Sequence, residues 1–522
     1  MKKTVKKSLA LILAALMLVS CMGFSATAAE STGYEVTRIN CTVYGDTKTQ
    51  RGFNWYTDKN CGTTIEYLPA SEYNASSANP FSNAYTKDGS SSEWDGKYCH
   101  KVILTGLEPG TKYYYRVGDA KTNSWSDVVG TFVTDNGDGK FSFIAIADVQ
   151  ASSYEKFEQA AKVMEAAMAK TPKAELVVNM GDFVNDCTSE EWTWFGDAFK
   201  AYNTNLTMAP VAGNHDGNIT NKLNVGWFEK QFVLEKGAGD TNGINGTYYS
   251  FDYGNVHFCV LNTNDMYTMT EAQRNWAIND LNNTDAHWKV LLTHRAAYSH
   301  GKNINKPDTI ALRETLIEIV DATGVDLVLS GHDHTYSRTY QLVGDAVVKN
   351  VKYKDVEVNE TKASDDVVCQ SVTNPDGAVY IVPSTAGTKR YNLNDTPIDP
   401  INECTNVKYS TKSQKVTDEV DGQEVTTETN EYAGGCFANI AVNGNKLVYK
   451  AYVVNDDTNE TKLLDYYEIK KTVADEKTDS EELKTDIIAT IDGTIYNTFT
   501  ELVKTLVTYL TVLLPQWIKG LF

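Results

Sequence analysis

The sequence predicts a multidomain protein in which an N-terminal all-β sandwich precedes a layered α/β domain and an amphipathic helix ends the chain. Three observations lead to this prediction. Residues 35–134 alternate between apolar and polar side chains at roughly every second position, as half-buried strands do. From residue 140 onward, continuous apolar runs alternate with helical stretches, which is typical of α/β architecture. Near the C-terminus, apolar residues recur every three or four positions, which is the helical period.

The first 29 residues have the features of a secretory signal peptide. Four lysines precede an apolar stretch at residues 9–19, and small residues follow it. Ala26-Thr27-Ala28 suits ordinary cleavage, which we favour, whereas Leu18-Val19-Ser20-Cys21 resembles a lipobox that would make the protein a lipoprotein through Cys21. Either route predicts a secreted or cell-surface protein. Because exported proteins meet oxidising conditions, we expect at least one disulfide among the other cysteines.

The charge of the chain limits its partners. The net charge is −20 over 522 residues, with a pI near 4.9. Nucleic acid is therefore not expected as a partner, since phosphate backbones attract basic surfaces. An acidic protein that handles phosphate needs local positive charge, and metal ions are one way to supply it.

The N-terminal domain, residues 35–134, is predicted from six short strand-like segments, namely TRINCTVYG, RGFNWYT, TTIEYLP, HKVILTGL, KYYYRVGD and VVGTFVT. The stretch TGLEPGTKYYYRVG is the most informative, because a Pro109-Gly110 turn precedes a tyrosine-rich strand. This arrangement is typical of fibronectin type III-like sandwiches. Such a module has no evident chemistry of its own.

The α/β domain is predicted over residues 140–471. Its continuous apolar runs predict strands that are covered on both faces. They are FSFIAIADV, ELVVNMGD, LTMAPVAG, HFCVLNT, WKVLLTH and VDLVLSGH. Helical segments such as YEKFEQAAKVMEAAMAK separate some of them. Two polar stretches, about 342–375 and 391–434, are interpreted as surface insertions that are partly disordered.

The end of the chain is predicted to be a charged linker, residues 472–485, and an amphipathic helix, residues 486–522. Pro515 interrupts the helix, and its apolar part is too short to span a bilayer. We favour a helix that docks on its own protein or on another copy. Peripheral contact with the membrane or cell envelope is the alternative.

Polar side chains with metal-binding groups stand at the ends of the predicted strands, where ligands bind in α/β folds. They are Asp148, Asp182, Asn214, His215, Asp216, His294, His332 and His334. Carboxylate, carboxamide and imidazole together suit zinc, manganese or iron. The set is too large for one tetrahedral ion and about right for two ions that share a bridging carboxylate. Such pairs of metal ions activate a water molecule and bind a phosphoryl group.

The order of these motifs is that of a known superfamily. The series D-x-[HQ], GDxx, GNH[DE], xxxH and GHxH resembles the calcineurin-like metallophosphoesterases. The preceding sandwich and three longer stretches resemble the purple acid phosphatase branch, especially its bacterial relatives. These stretches are LTGLEPGTKYYYRVGD, YSFDYGNVHFCVLNTND and GHDHTYSR. The resemblance covers residues 35–470. It implies an αββα-layered metallophosphoesterase domain and two divalent or mixed-valence metal ions, drawn from Fe, Zn and Mn.

The resemblance also implies roles for individual residues. Asp148 and His334 would bind the first metal, Asp182 would bridge, and the second metal would be bound by Asn214, His294 and His332. His215 would sit over the leaving group as proton donor or phosphate-orienting residue. Asp216 is predicted to fix the tautomer of His215 and to raise its pKa.

Two positions depart from the family pattern. Purple enzymes have a tyrosine where this chain has Asn185, and many metallophosphoesterases have a histidine where it has Gln150. Gln150 or Asn185 would supply a neutral oxygen in their place, or water would. We therefore expect a colourless protein whose first metal is weakly held.

Further residues are candidates for substrate binding. His300 follows His294 closely enough to reach a phosphate, and Tyr336 and Arg338 follow the last histidine motif. For Tyr336 and Arg338, packing and surface pairing are the favoured alternative. His257, inside an apolar run, is interpreted as a satisfied core residue.

The predicted function is an exported, acid-phosphatase-like enzyme in which a metal-bound hydroxide attacks a small-molecule phosphate ester in line. A phosphodiesterase or nucleotidase on the same site is the first alternative. From another class, the alternative is an inactive cell-envelope protein that binds metal or phosphate, or acts as a scaffold. A metallohydrolase acting on a non-phosphate substrate is the third.

Overall fold

The computed structural model describes residues 33–472, except 218–225, 236–246, 265–268, 395, 398, 414, 421–422 and 429. The predicted signal peptide, Cys21, nearly all of the linker and the C-terminal helix lie outside the described residues. Every element below belongs to the unit that ends at Lys470. Among the described helices, none has the length and apolarity needed to cross a bilayer.

The N-terminal domain consists of nine strands: β1 (Val36–Thr42), β2 (Arg51–Thr57), β3 (Thr64–Pro69), β4 (Tyr85–Asp88), β5 (Ser90–Trp94), β6 (Lys97–Leu104), β7 (Lys112–Asp119), β8 (Ser124–Trp125) and β9 (Gly130–Val133). Strands β1, β2, β6 and β5 lie in one sheet; β4, β3, β7 and β8 form the other, with β9 on β7. The rings of Phe53 and Tyr115, one from each sheet, meet at 4.8 Å in the shared core. The predicted sandwich is confirmed.

The second domain contains seven described helices: α1 (Tyr154–Lys170), α2 (Ser189–Ala198), α3 (Lys200–Asn203), α4 (Gly226–Gln231), α5 (Glu271–Asn282), α6 (Pro307–Thr323) and α7 (Ile401–Cys404). Its strands are β10 (Lys140–Ile146), β11 (Leu176–Asn179), β12 (Thr207–Pro210), β13 (Tyr249–Tyr253), β14 (Val256–Val260), β15 (Trp288–Leu292), β16 (Leu327–Leu329), β17 (Tyr336–Thr339), β18 (Leu342–Val343), β19 (Ala346–Val347), β20 (Lys354–Asp355), β21 (Cys369–Thr373), β22 (Val379–Pro383), β23 (Thr405–Tyr409), β24 (Lys415–Val420), β25 (Gln423–Glu428), β26 (Gly435–Asn443), β27 (Lys446–Val454) and β28 (Thr461–Lys470).

Most of these strands form two sheets that pack face to face, while β18 with β19 and β24 with β25 form separate two-stranded sheets. Parallel strands β10, β11 and β12 lie in the first sheet, and parallel strands β14, β15, β16 and β22 lie in the second. Phe143 of β10 contacts Phe258 of β14 edge-on at 5.4 Å between the sheets. Helices α1 and α2 cover the first sheet, while α5 and α6 cover the second. The predicted αββα layering is confirmed, and both faces of each parallel sheet are buried, as the continuous apolar runs require.

The two domains share a sheet, which the sequence did not predict. Strand β1 of the sandwich pairs in parallel with β12, with Thr42 beside Met208. Four sandwich strands thereby extend the first sheet of the second domain to twelve strands. Since an uncovered edge strand leaves backbone groups unpaired, β1 satisfies the edge of β12.

The two polar stretches are only partly surface insertions. Strand β21 pairs in parallel with β28, and β23 pairs antiparallel with β17. Val372 and Val407 on these strands are buried. The interpretation as insertions is therefore wrong for β21 and β23, because single apolar residues among polar neighbours are enough to bury one face of a strand.

The expected disulfide is absent among the described residues. All eight cysteines beyond Cys21 are free thiols, seven of them buried. Several of them are engaged by the main chain instead; the thiol of Cys99 donates to the Lys230 carbonyl and that of Cys404 to the Asp345 carbonyl, each at 3.2 Å. Buried cysteines here act as small apolar residues.

His257 is a buried core residue held by two carboxylates, which confirms its interpretation. Its Nδ1 and Nε2 lie 2.8 Å from Asp252 and Asp280, respectively. Burial by itself would lower the pKa of His257, but the two carboxylates outweigh burial and raise it to about 9.

We expect His257→Gln to destabilise the protein in a pH-dependent way. Because the folded-state pKa is raised, the stabilisation is complete below the unfolded value of about 6.5 and is lost as the pH rises through about 9. The variant should lose about 2 kcal/mol of unfolding free energy at pH 6 and much less at pH 10. Urea unfolding at both values measures this, and an equal loss at both would contradict the expectation.

Candidate metal centre

The ends of parallel strands gather the polar side chains at one edge of the two packed sheets. Asp148 follows β10, Asp182 follows β11, and Asn214 follows β12. From the second sheet, His294 follows β15 and His332 follows β16. Since each pair of neighbouring strands is parallel, their carboxyl ends meet, and the loops of both sheets face one another.

Three of the predicted ligands have a left-handed backbone conformation. The φ angles are 55° for Asp148, 55° for Asp182 and 70° for His332. Each such residue costs roughly 1–3 kcal/mol when it is not glycine, and this strain concentrates at functional sites. The turn after each strand thus places the side chain at the sheet edge against the local preference of the backbone.

Glycines in the motifs let the loops approach closely. A Cβ on Gly213 would lie 2.0 Å from the backbone nitrogen of Asp182, and one on Gly331 would lie 2.8 Å from Oδ2 of Asp148. Neither contact leaves room for a side chain. The glycines therefore bring the loops that carry the polar side chains within bonding distance of one another.

Two groups of potential metal ligands share one carboxylate. Asp148, Asp182 and His334 form the first donor group, and Asp182, His294 and His332 form the second. Within each group the ligand atoms lie within 4.8 Å of one another. Asp182 stands where the sequence predicted a bridging residue, between the two groups.

Two histidines turn Nδ1 to backbone carbonyls, which leaves Nε2 to face the centre. His294 donates Nδ1–H to the Met180 carbonyl at 2.8 Å, and His334 donates Nδ1–H to the Lys389 carbonyl. The Nε2 of His294 then faces Oδ1 of Asp182 at 3.3 Å, and that of His334 faces Oδ1 of Asp148 at 3.3 Å. A cation must therefore lie between each Nε2 and its carboxylate oxygen, either a bound metal ion or, without one, a proton on Nε2, so this donor set fits a metal ion in each group.

The electrostatics of the centre favour cations. Burial alone would raise the pKa of Asp182, but the neighbouring His294 holds it far below its usual range. In turn, Asp182 outweighs the effect of burial on His294 and raises its pKa to about 9. Burial, with the adjacent His294, lowers the pKa of His332 well below its usual value, which keeps that imidazole neutral and available as a ligand.

Asn214 and His215 complete the second side of the centre. The carboxamide oxygen of Asn214 lies 3.0 Å from Nε2 of His294. The backbone nitrogen of His215 donates to Oδ1 of Asp182 at 2.8 Å, and its ring Nδ1 donates to the carbonyl of Asn185. His215 is half-buried, so its ring lies at the rim of the centre.

The predicted role of Asp216 is wrong. Its buried carboxylate accepts backbone N–H groups of Asp182, Phe183 and Gly213 at 2.7–2.9 Å. Asp216 thereby holds two ligand loops together, and the Asn185 carbonyl, rather than Asp216, orients the ring of His215. Burial, reinforced by the nearby Asp182, raises the pKa of Asp216 to about 7.

Gln150 and Asn185, the two departures from the family pattern, meet a lysine that sequence reasoning missed. Lys389 donates from Nζ to Oε1 of Gln150 at 2.9 Å and lies 3.5 Å from Oδ1 of Asn185. Tyr391 stacks on the ring of His334 with centroids 4.4 Å apart. The only sequence signal for Lys389 is that it follows a buried strand, β22, since no motif surrounds it.

The candidate substrate-binding residues do not line the centre in the way predicted. Tyr336 and Arg338 are fully buried, and both bind the carboxylate of Asp465. The favoured interpretation of packing is confirmed for both residues, and the substrate-binding alternative is wrong, because β17 places both side chains in the core. His300 is also buried, and its Nε2 faces Oγ1 of Thr405 at 3.0 Å.

Comparisons with known families agree with this architecture. Residues 141–336 match the calcineurin-like phosphoesterase family, and residues 36–134 match the purple acid phosphatase N-terminal domain. The fold and the paired donor groups thus define a calcineurin-like phosphoesterase domain behind a β-rich domain. More particularly, residues 36–134 are similar to the N-terminal domain of purple acid phosphatases, and the curated relatives of the chain include purple acid phosphatases.

Individual relatives show the extent of the similarity. Purple acid phosphatase 23 of Arabidopsis thaliana is 25% identical over 297 residues, covering 50% of this chain and 62% of that protein. Acid phosphatase type 7 of Danio rerio is 23% identical, covering 64% and 75%. For purple acid phosphatase 15 of Arabidopsis thaliana, the match spans about half of either chain. A solved purple acid phosphatase from yellow lupin (Lupinus luteus) seeds shares the fold, with a TM-score of 0.62 and 14% identity over 84% of this chain and 74% of that one.

Proposed function

We propose that this protein is a dinuclear metal-dependent phosphatase that hydrolyses small-molecule phosphate esters. The observation that carries the proposal is the pair of donor groups that share Asp182 at the carboxyl ends of two packed parallel sheets. The matches to both purple acid phosphatase domains support it. A phosphodiesterase or nucleotidase activity on the same site is the second candidate within this class.

The chain's own residues would hold and orient the reacting groups. Asp148 and His334 would bind one ion. The other ion would be bound by His294, His332 and Asn214, and Asp182 would bind both ions. When bound, a pair of iron, zinc or manganese ions supplies Lewis acidity and lowers the pKa of water. His215, oriented by the Asn185 carbonyl, would donate a proton to the leaving oxygen.

The proposal is tested by assaying purified protein on p-nitrophenyl phosphate and bis-p-nitrophenyl phosphate. Each assay is run with manganese, zinc, iron or no metal, and the metal content of the same sample is measured. Metal-dependent turnover of the monoester is expected. Bound metal without turnover of either substrate would favour an inactive metal-binding or scaffold protein instead.

We expect His215→Ala to act selectively on poor leaving groups. If His215 protonates the leaving oxygen, kcat should fall about 10²-fold or more for an alkyl phosphate, and much less for p-nitrophenyl phosphate, whose leaving group needs no proton. His215→Asn is the matched variant that keeps a polar side chain without a titrating group. Equal losses on both substrates would remove His215 as the proton donor.

The proposal extends to location. The basic and apolar N-terminal segment supports export, by ordinary cleavage of the signal peptide at residues 1–29 or as a lipoprotein through Cys21. The periodic apolar residues of 486–522 support docking of this segment on the protein itself or on another copy, and peripheral contact with the cell envelope is the alternative. Fractionation of cells that express the full chain, Cys21→Ser and a chain ending near residue 480 tests both statements. A full chain retained inside the cell would contradict export.

A further inference from the structure

The segment after β22 is tied to the first donor group by three contacts. The Thr385 hydroxyl donates to the carbonyl of Asp148 at 2.6 Å, and the backbone nitrogen of Tyr391 donates to the carbonyl of His334 at 3.3 Å. Between them, the carbonyl of Lys389 accepts Nδ1–H of His334. The position of Lys389 relative to the first donor group is therefore fixed by its own backbone.

The side chain of Lys389 determines how the carboxamide of Gln150 is turned. Gln150 is buried, with 2% of its surface exposed. Because an ammonium group only donates hydrogen bonds, the atom of Gln150 that lies 2.9 Å from Lys389 must be its oxygen. The amide nitrogen then points the other way, to Oδ2 of Asp182 at 2.9 Å and toward Nε2 of His334 at 3.4 Å.

This orientation opposes a metal ion in the first donor group. The N–H groups of Gln150 point at Asp182 and His334, the atoms that would bind the ion, and an amide N–H group offers no lone pair. The oxygen, which could bind it, is bonded to Lys389. The second donor group has no comparable lysine contact among its described hydrogen bonds.

We propose that Lys389 weakens the first metal site by holding the Gln150 carboxamide with its nitrogen toward that site, so that the two sites differ in affinity. The proposal rests on the dinuclear centre of the proposed function. Removing the ammonium group frees the carboxamide to turn by 180° and present its oxygen to the ion. Lys389 is a positioning residue in this account, since it acts through Gln150.

The test is a calorimetric titration with Mn²⁺ alone, in a His332→Ala background that leaves only the first donor group intact. Lys389→Met should tighten binding by about tenfold, the size of effect expected of residues that orient metal ligands. Lys389→Arg, which keeps a donor, should not. Lys302→Met is the matched control, because Lys302 lies over the ring of Tyr391 and its removal deletes a nearby charge without touching Gln150.

A second variant separates orientation from charge. In Gln150→Ala/Lys389→Met no carboxamide can turn, so the gain in affinity should disappear. Should His332→Ala not fold, as circular dichroism would show, the bound manganese of otherwise native protein is measured after gel filtration. There, Lys389→Met should raise the ratio from about one ion to about two ions per chain.

Four results would overturn the proposal. The first is an affinity for Mn²⁺ that is unchanged or lower in Lys389→Met, and the second is a higher affinity in Lys389→Arg. The third is a rise in affinity in Lys302→Met equal to that in Lys389→Met, and the fourth is a rise that persists in Gln150→Ala/Lys389→Met. In each case the centre still binds metal, and the proposed function stands. If the native chain binds no manganese, zinc or iron at all, the proposed function fails, and this inference fails with it.

Discussion

Replacing Asp182 with asparagine is expected to reduce kcat/KM for p-nitrophenyl phosphate by at least about 10³-fold, or about 4 kcal/mol of transition-state stabilisation. Asp182 is the one residue that belongs to both donor groups, so its loss weakens both metal sites at once. It is buried between His294 and His332, and no other carboxylate of the described residues stands in both groups. Steady-state kinetics and metal analysis on the same sample measure the effect.

The control for this variant is Asp186→Asn, which changes the same charge four residues along the chain. Asp186 is exposed, and its backbone nitrogen is bonded to Glu191. We expect it to keep both metal content and kcat/KM within about twofold of the native values. Full activity of Asp182→Asn, or loss of activity with both ions still bound, would contradict a bridging role.

Replacing Asp465 with alanine is expected to lower the free energy of unfolding by about 3–5 kcal/mol. Its carboxylate is fully buried and accepts Nε of Arg338 at 2.6 Å, the second guanidinium nitrogen at 3.0 Å and the Tyr336 hydroxyl at 2.6 Å. Removing it leaves an uncompensated guanidinium group in the core, whose desolvation is no longer offset. Denaturant unfolding followed by tryptophan fluorescence measures the loss.

The double variant Arg338→Met/Asp465→Leu separates the cost of an unpaired charge from the loss of packing. Because both charges are removed together, it should recover most of the stability that Asp465→Ala loses. It should also leave KM for p-nitrophenyl phosphate within about twofold, since Tyr336 and Arg338 bind Asp465 and not the centre. A large rise in KM would restore Arg338 as a substrate-binding residue.

The fold follows from local patterns because both sheets of the second domain are buried on both faces. Strand β11 is fully buried and apolar up to its last residue, Asn179, so the polar Asp182 that follows stands at the sheet edge. Strand β23 breaks this rule. It carries one buried valine among polar residues, so periodicity gave no sign that it joins the second sheet.

The order of domains, the layering and the identity of the side chains that gather at the centre could all be inferred from the amino-acid sequence. Those properties depend on residue type and on spacing along the chain. Three contacts became visible only in the folded protein: the carbonyl of Asn185 orients His215, Asp216 holds two loops together, and Lys389 reaches Gln150 from 239 positions away. These contacts join residues distant in sequence, and their hydrogen-bonding partners are set by the packing of whole sheets, which no local spacing encodes.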